Sequence, residues 1–332
     1  MWLAGDGKKS GGRSYAWRYR GRIVACVFVE VIIICALVIM IGWNKGVKEW
    51  FEQFEQPVLK EVDISGINSP NAILMQARGG KILGEINGEA QIYPASMTKI
   101  MTVILGIENF DDLDEKITLT DEMFTGLYEQ DATQAGFQPG EEVRVIDLLY
   151  GAMLPSGAEC CIALADTISG SEADFAELMN KKARKLGMEN THFCDSTGLH
   201  NPDHYSTVKD IAVLMKYCIK NDTFREIVET SRHSTGVTNI HPDGITYYST
   251  MFKNLSDPTV TGGKILGGKT GYTSEAGHCL VSFAEIEGRE YIFVSAGASG
   301  ADGNTIPHIQ DAVTVYNRVG AAIEAKMNDN NK

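Results

Sequence analysis

A chain of 332 residues, 44% of them hydrophobic and 22% charged, carries enough apolar material for one large packed domain or two ordinary ones. Its formal net charge of −13 argues against nucleic acid and other polyanions as partners. The sign is unevenly spread: residues 1–22 hold Lys8, Lys9, Arg13, Arg18, Arg20 and Arg22 against Asp6 alone, so the remainder is more acidic still.

After that basic tail, residues 23–43 are almost wholly apolar, interrupted only by Glu30, and are long enough to span a bilayer as a helix. The positive-inside rule keeps the tail cytoplasmic and exports the chain beyond Trp43. A cleaved signal peptide is the rival reading, but Ile41-Gly42-Trp43-Asn44-Lys45 offers no small-x-small cleavage site, so an uncleaved anchor is expected. Glu30 reads as a single tolerated acid in a strong span. In the segment 44–66, Val47, Trp50, Phe51 and Phe54 recur at helical spacing until Pro57, which suggests a stalk or a packed juxtamembrane helix. The globular region is expected from Ile67. Residues 71–77 and 81–85 around Gly79-Gly80 read as a β-hairpin. Helices are expected over 147–154, ending at Pro155, and over 174–186, ending at Gly187. A second hairpin is expected from 279–286 and 291–296 around Glu287-Gly288, then a closing helix over 311–325. Strands at both ends with helices between predict one α/β or α+β domain, residues 67–326, in which a sheet of the terminal strands is flanked by helices, with a helical insertion; 327–332 is a tail.

Cys26 and Cys35 fall in the apolar span; Cys160, Cys161, Cys194, Cys218 and Cys279 lie beyond it. An odd number cannot all pair internally, and no CxxC spacing suggests a metal or redox site, so free buried thiols are expected. Cys160-Cys161 read as helix core.

Three short motifs carry chemistry. Ser96-Met97-Thr98-Lys99 opens an apolar run containing Ile100, Met101, Val103, Ile104 and Ile107, which predicts a buried helix starting near Ser96. Residues three apart share a helix face, so the Lys99 amine can lie beside the Ser96 hydroxyl, and the positive end of the helix favours developing negative charge. That is an activated-nucleophile arrangement. Ser156-Gly157-Ala158 and Lys269-Thr270-Gly271 come next in order. Each alone has an ordinary explanation: a helix start with a solvated lysine, a cap after proline, a hairpin turn. Their conjunction does not.

Together the motifs resemble the serine penicillin-binding protein and β-lactamase superfamily, and more closely the low-molecular-mass D-alanyl-D-alanine carboxypeptidases. Tyr93-Pro94-Ala95-Ser96-Met97-Thr98-Lys99, Met153-Leu154-Pro155-Ser156-Gly157, Ser196-Thr197-Gly198-Leu199-His200 with His204-Tyr205-Ser206-Thr207, and Gly268-Lys269-Thr270-Gly271-Tyr272-Thr273 carry the resemblance. It implies a β-lactamase/transpeptidase-like domain, an antiparallel sheet flanked by helices with a helical subdomain, a peptidoglycan stem peptide ending in D-Ala-D-Ala as substrate, β-lactams as covalent inhibitors, and no cofactor or metal. It also implies Ser96 as nucleophile, Lys99 as base, Ser156 as proton relay, Lys269 and Thr270 as carboxylate binders on an edge strand, and the backbone N–H groups of Ser96 and Tyr272 as oxyanion hole. A base role needs a neutral Lys99 amine, which burial beside Lys269 favours. Glycines 267, 268 and 271 let substrate backbone approach the strand. Lys253 stands where an additional carboxylate-binding cation is expected. One departure matters: Ala158 replaces an Asn whose amide normally bonds substrate and lysine, removing about 1 kcal/mol per bond unless Glu159 or another group substitutes. We read it as a variant, not as inactivation.

His200 and His204 raise a zinc alternative, but Gly198, Asn201 and Pro202 place them in a loop, and structural roles are expected. Glu177 and Asn180 superficially resemble a deacylating pair, yet fall inside a regular helix and read as a solvated face. The functional reading is a membrane-anchored carboxypeptidase, single-pass with its N-terminus cytoplasmic. A non-catalytic penicillin-binding sensor or scaffold and a β-lactamase are the alternatives.

Overall fold

The computed structural model describes residues 59–300 and 306–330. The basic tail, the apolar span and residues 44–58 with their Trp50 and Phe54 stripe lie outside them, as do Cys26 and Cys35. Among the described residues no helix is long and apolar enough to cross a membrane.

Both expected hairpins form. β1 (Asn71–Gln76) and β2 (Ile82–Ile86) make the first, and β9 (Gly277–Ile286) and β10 (Arg289–Ala298) the second. Between them lie β3 (Lys116–Thr118) pairing with β4 (Glu142–Arg144), β5 (Arg232–Ser234) pairing with β6 (Thr246–Tyr248), the short β7 (Thr259–Val260) and the long β8 (Gly263–Thr273). The main sheet is antiparallel with order β2-β1-β10-β9-β8-β7, so the N-terminal hairpin is sewn to the C-terminal one, Asn71 lying opposite Ala296.

Period-two alternation sends side chains to two cores. Ile73, Val281, Phe283, Ile292 and Val294 face one core; Ala72, Leu74, Leu280, Ala284 and Phe293 face the other. A sheet buried on both faces needs two covers. The first is a helical layer built on α1 (Lys99–Asn109), buried from Lys99 to Gly106 because α2 (Val145–Met153), α3 (Ala158–Ser169) and α5 (Val208–Cys218) all pack against it. An α-helix apolar all round belongs in such a place. α4 (Glu172–Leu186) and α6 (Asp222–Glu229) complete the layer, and the one-turn α7 (Thr250–Asn254) leads into β7. The second cover is α8 (Pro307–Asn330), which presents Ile309, Ala312, Val315, Tyr316, Val319 and Ile323 at helical spacing.

Three expectations need correction. The closing helix expected over 311–325 runs from Pro307 to Asn330, so most of the residues expected as a tail are helical. The packed unit begins ahead of Ile67: Leu59, Val62 and Ile64 are already in the second core, and the Val62 N–H donates to the Leu83 carbonyl at 2.8 Å. Nor are Glu177 and Asn180 one solvated face. Glu177 is exposed, but Asn180 is buried, its amide exchanging hydrogen bonds at 2.8 Å with both the N–H and the carbonyl of Phe193. A lone polar residue on the inner side of an amphipathic helix is there to satisfy buried backbone.

α8 is fastened to the chain entering β1 by one carboxylate. Buried Asp311 accepts from the N–H and side-chain amide of Asn68, both at 2.8 Å, and from the N–H and hydroxyl of Ser69 at 2.9 and 2.6 Å. Asp311→Ala strands those donors, and we expect a loss of about 3 kcal/mol in urea unfolding, well beyond an ordinary surface change.

Candidate active site

Ser96 sits in the 3-10 turn Ala95–Thr98, immediately ahead of α1. The turn is held by a left-handed residue: Ala95 has φ +46°. Such a conformation costs a non-glycine residue roughly 1–3 kcal/mol and persists only where its surroundings impose it. Here the imposing neighbour is Gly198, itself at φ +78°, whose backbone lies so close that a β-carbon there would stand 1.9 Å from the Ala95 carbonyl oxygen.

One turn beyond Ser96, the 3% exposed Lys99 donates from Nζ to Ser96 Oγ at 3.1 Å and to the Thr197 carbonyl at 2.6 Å. The Ser-x-x-Lys spacing therefore produces the contact expected of it. Strand β8 closes the opposite side, with Gly271 so near the nucleophile that a β-carbon there would lie 2.9 Å from the Ser96 nitrogen. The Ser96 amide thus faces β8 one residue before Tyr272, which is 60% exposed. β7 pairs only with Gly263 and Lys264, so from Lys269 to Thr273 the strand has a ladder partner on the β9 side alone.

The second motif and the third meet directly. Lys269, 1% exposed, donates to Ser156 Oγ at 3.0 Å and to the Thr270 carbonyl at 2.9 Å. Burial, and then the charge of neighbouring Lys99, hold the Lys269 ammonium well below the ordinary lysine range. Ser156 carries another left-handed backbone, φ +75°, at the bend between α2 and α3. Strained backbone at Ser156 and beside Ser96, each serine a buried lysine's partner, marks a built site.

Ala158 opens α3 with its N–H donated to the Thr133 carbonyl at 2.8 Å. Glu159 does not replace the missing amide toward the site. Its buried carboxylate turns back to accept the N–H groups of Ala135 and Gly136 at 2.6 and 2.9 Å, clamping the loop 133–136 against the Ser156 bend. Burial raises its carboxyl above the usual range. Glu172, also raised by burial, is likewise engaged, accepting from Ser196 N and Oγ at 3.0 and 2.7 Å.

Sequence reasoning left Asp195 and Thr250 without a role, and gave His200 and His204 the structural roles they prove to have. Asp195 accepts from Thr197 N and Oγ1 and from Gly198 N at 2.7–2.8 Å, and its other oxygen meets His204 Nδ1 at 3.2 Å. His204 Nε2 in turn bonds Thr98 Oγ1 at 2.9 Å, so this histidine ties the Lys99-binding loop to the Ser96 turn. His200 packs edge-on against Tyr93. Thr250, at the start of α7, has its hydroxyl 2.7 Å from that of Thr270. A lone threonine in a polar stretch gives no sequence signal; Asp195, one residue before the Ser-Thr-Gly motif, could have been found as an Asx-type turn former. Lys253 lies on α7 one turn beyond Thr250, lining a cleft beside the site. The five described cysteines are free; Cys161, its thiol donated to the Gly157 carbonyl at 3.3 Å, is pushed up to about 12 by burial and is inert at neutral pH.

A serine nucleophile touched by one buried lysine, a second serine touched by another, and an edge strand alongside define a serine acyl-transfer site on a transpeptidase-like α+β fold. Residues 58–300 match the family model described as D-alanyl-D-alanine carboxypeptidase, and the chain belongs to that family. It is 36% identical over 231 residues to D-alanyl-D-alanine carboxypeptidase DacF of Bacillus subtilis, covering 69% of this chain and 57% of that one. Against D-alanyl-D-alanine carboxypeptidase of Streptomyces sp. (strain K15) it is 35% identical over 236 residues, covering 69% and 78%. The crystal structure of the Streptomyces K15 DD-transpeptidase superposes with a TM-score of 0.69 at 28% identity, covering 79% of this chain and all of that one. The chain spans less than two thirds of the length of several curated relatives, 57% of DacF among them.

Two outcomes test this geometry. Gly198→Ala drives a methyl into the Ala95 carbonyl, and we expect loss of covalent labelling by a fluorescent penicillin out of proportion to any loss of folded protein by circular dichroism. Asp195 gives a pH signature. Burial works to raise its carboxyl, but the His204 ring and the Thr197 and Gly198 donors outweigh it and hold the group at about 2. The resulting stabilisation, about 2 kcal/mol, is present above the ordinary carboxylate pKa near 4 and is lost as pH falls toward 2. Urea midpoints of Asp195→Asn should be lower at neutral pH and flatter across that interval.

Proposed function

We propose that this protein is a membrane-anchored serine carboxypeptidase that removes the terminal D-alanine from peptidoglycan stem peptides ending in D-Ala-D-Ala. The observation that carries the reading is the double Ser–Lys pairing, Lys99 on Ser96 and Lys269 on Ser156, beside an unpaired strand edge. Ser96 Oγ attacks the carbonyl carbon between the two D-alanines while Lys99 Nζ takes its proton. The N–H groups of Ser96 and Tyr272 receive the developing oxyanion, in line with the close packing of β8 on the Ser96 amide. Ser156, bonded to Lys269, passes a proton to the departing amine, and D-alanine leaves. Thr270, with Lys269 behind it, receives the free carboxylate. Water then cleaves the ester. Glu172 has both carboxylate oxygens engaged by Ser196 and so is not free to activate that water, which favours slow hydrolysis of a penicillin adduct and a carboxypeptidase over a β-lactamase.

The apolar residues 23–43 behind a basic tail support a single-pass anchor, N-terminus inside, with the catalytic domain facing the cell wall.

The test is D-alanine release by the full chain from a peptide ending in D-Ala-D-Ala, with Ser96→Ala alongside. Release falling by at least about 10³-fold in the variant supports the reading. A folded wild-type chain that releases no D-alanine, while still forming a penicillin adduct, points instead to the non-catalytic sensor and removes the hydrolase.

A further inference from the structure

The bend that carries Ser156 is held from behind. Its left-handed φ of +75° is one that a residue other than glycine keeps only where neighbours impose it. Ala158 has no polar side-chain group to contribute, so the restraint comes from the main chain and from Glu159. The Gly157 N–H donates to the Gly151 carbonyl and the Ala158 N–H to the Thr133 carbonyl, both at 2.8 Å. Fully buried Glu159 completes the set, its Oε1 accepting from Ala135 N at 2.6 Å and from Gly136 N at 2.9 Å.

These groups leave one another no room. A β-carbon on Gly157 would stand 2.8 Å from the Ala135 β-carbon and 3.0 Å from both Ala135 N and Glu159 Oε2. Carboxylate, loop 133–136 and bend therefore form one contact, and the residue ahead of Gly157 is Ser156, whose Oγ accepts from Lys269 at 3.0 Å. Proton transfer needs heavy atoms within about 3.2 Å, and a misplacement of about 1 Å costs roughly 10²-fold. Resting on the carboxypeptidase reading above, in which Ser156 passes its proton to the departing amine, we propose that Glu159 is a positioning residue for that transfer. Through Oε1 it presses the loop onto the bend and keeps Ser156 Oγ within reach of the leaving nitrogen. Both bonds end on main-chain N–H groups, and a glutamine oxygen can accept the same pair, so acceptor geometry and not charge is what the step requires.

Such a role separates leaving groups. When the Ser96 Oγ–acyl ester forms, an amide nitrogen departs only as it gains a proton, whereas a thiolate departs without one. A displaced Ser156 therefore slows the peptide and spares a thioester with the same acyl half. A residue that merely holds the fold together would slow both alike.

The test measures kcat/KM of the full chain, per penicillin-titratable site, for a peptide ending in D-Ala-D-Ala and for a thioester in which the same D-alanyl carbonyl carries a thioglycolate. In Glu159→Ala and in Glu159→Met, which keeps the length but has no acceptor oxygen, we expect the peptide value to fall at least about 20-fold and the thioester value less than about threefold. Ser156→Ala should likewise lose far more on the peptide than on the thioester. Glu159→Gln should stay within about threefold of wild type on both substrates. Equal losses on the two substrates in Glu159→Ala and Glu159→Met, or no loss on either, overturn the inference, as does a Glu159→Gln chain that behaves like Glu159→Ala. Failure of both Glu159→Ala and Glu159→Met to give any titratable chain overturns it too, because the carboxylate then serves the whole fold. A Ser156→Ala chain slowed equally on both substrates overturns the inference while the carboxypeptidase stands. A penicillin-labelled wild-type chain that cleaves the thioester but not the peptide overturns the carboxypeptidase reading, and the inference with it.

Discussion

Two lysine side chains buried within one site, Lys99 and Lys269, are the constraint around which this domain is built. Ammonium groups in an apolar interior are expensive unless every donor has an acceptor, and two together raise the demand. The structure answers with two serine oxygens and two main-chain carbonyls, those of Thr197 and Thr270. Aiming those acceptors requires unusual backbone. Ala95 and Ser156 adopt left-handed conformations, and the Thr197 carbonyl is oriented by a turn that Asp195 and His204 pin in place. The same arrangement that makes the interior tolerable for two amines leaves each of them touching a hydroxyl.

Much of this is legible in the chain because the chemistry is written in short local patterns. Ser96 and Lys99 are one helical turn apart, so their contact comes from spacing alone. The terminal hairpins are visible as alternating apolar runs around glycine turns, and α8 as an apolar stripe. The features that escape are non-local. The Thr250–Thr270 pair joins a one-turn helix to a strand twenty residues later, and neither threonine stands out in isolation. Glu159 suggests itself as a substitute for a missing amide because it is adjacent in sequence; the helix start at Ala158 rotates it the other way, toward the loop 133–136. Asn180 escapes for the same reason: its partner, the Phe193 backbone, is supplied by a loop that periodicity cannot place.

Ala158 takes on a different meaning in this setting. With its N–H on Thr133 and its neighbour's carboxylate on Ala135 and Gly136, the start of α3 is fixed by main-chain groups. The loop 133–136, not a side chain at position 158, forms the adjoining wall, and that wall leads into the cleft lined by Tyr248 and Lys253.

The seam between β1 and β10 has a consequence for how the molecule comes into being. Asn71 pairs with Ala296, and the Ser96 turn meets Gly271, as Ser156 meets Lys269, only through the strand that precedes β9. Contacts separated by so much chain are slow to close, whereas the helical layer from α1 to α6 is mostly local. Helices can therefore gather around the Ser96 turn while the sheet is still incomplete. During synthesis the hydroxyl and its lysine are present early, but Ser156 lacks its ammonium partner and the strand edge is absent until the last third of the chain docks. On the proposed mechanism, competence to react arrives with the final strands, and an unfinished chain is chemically quiet.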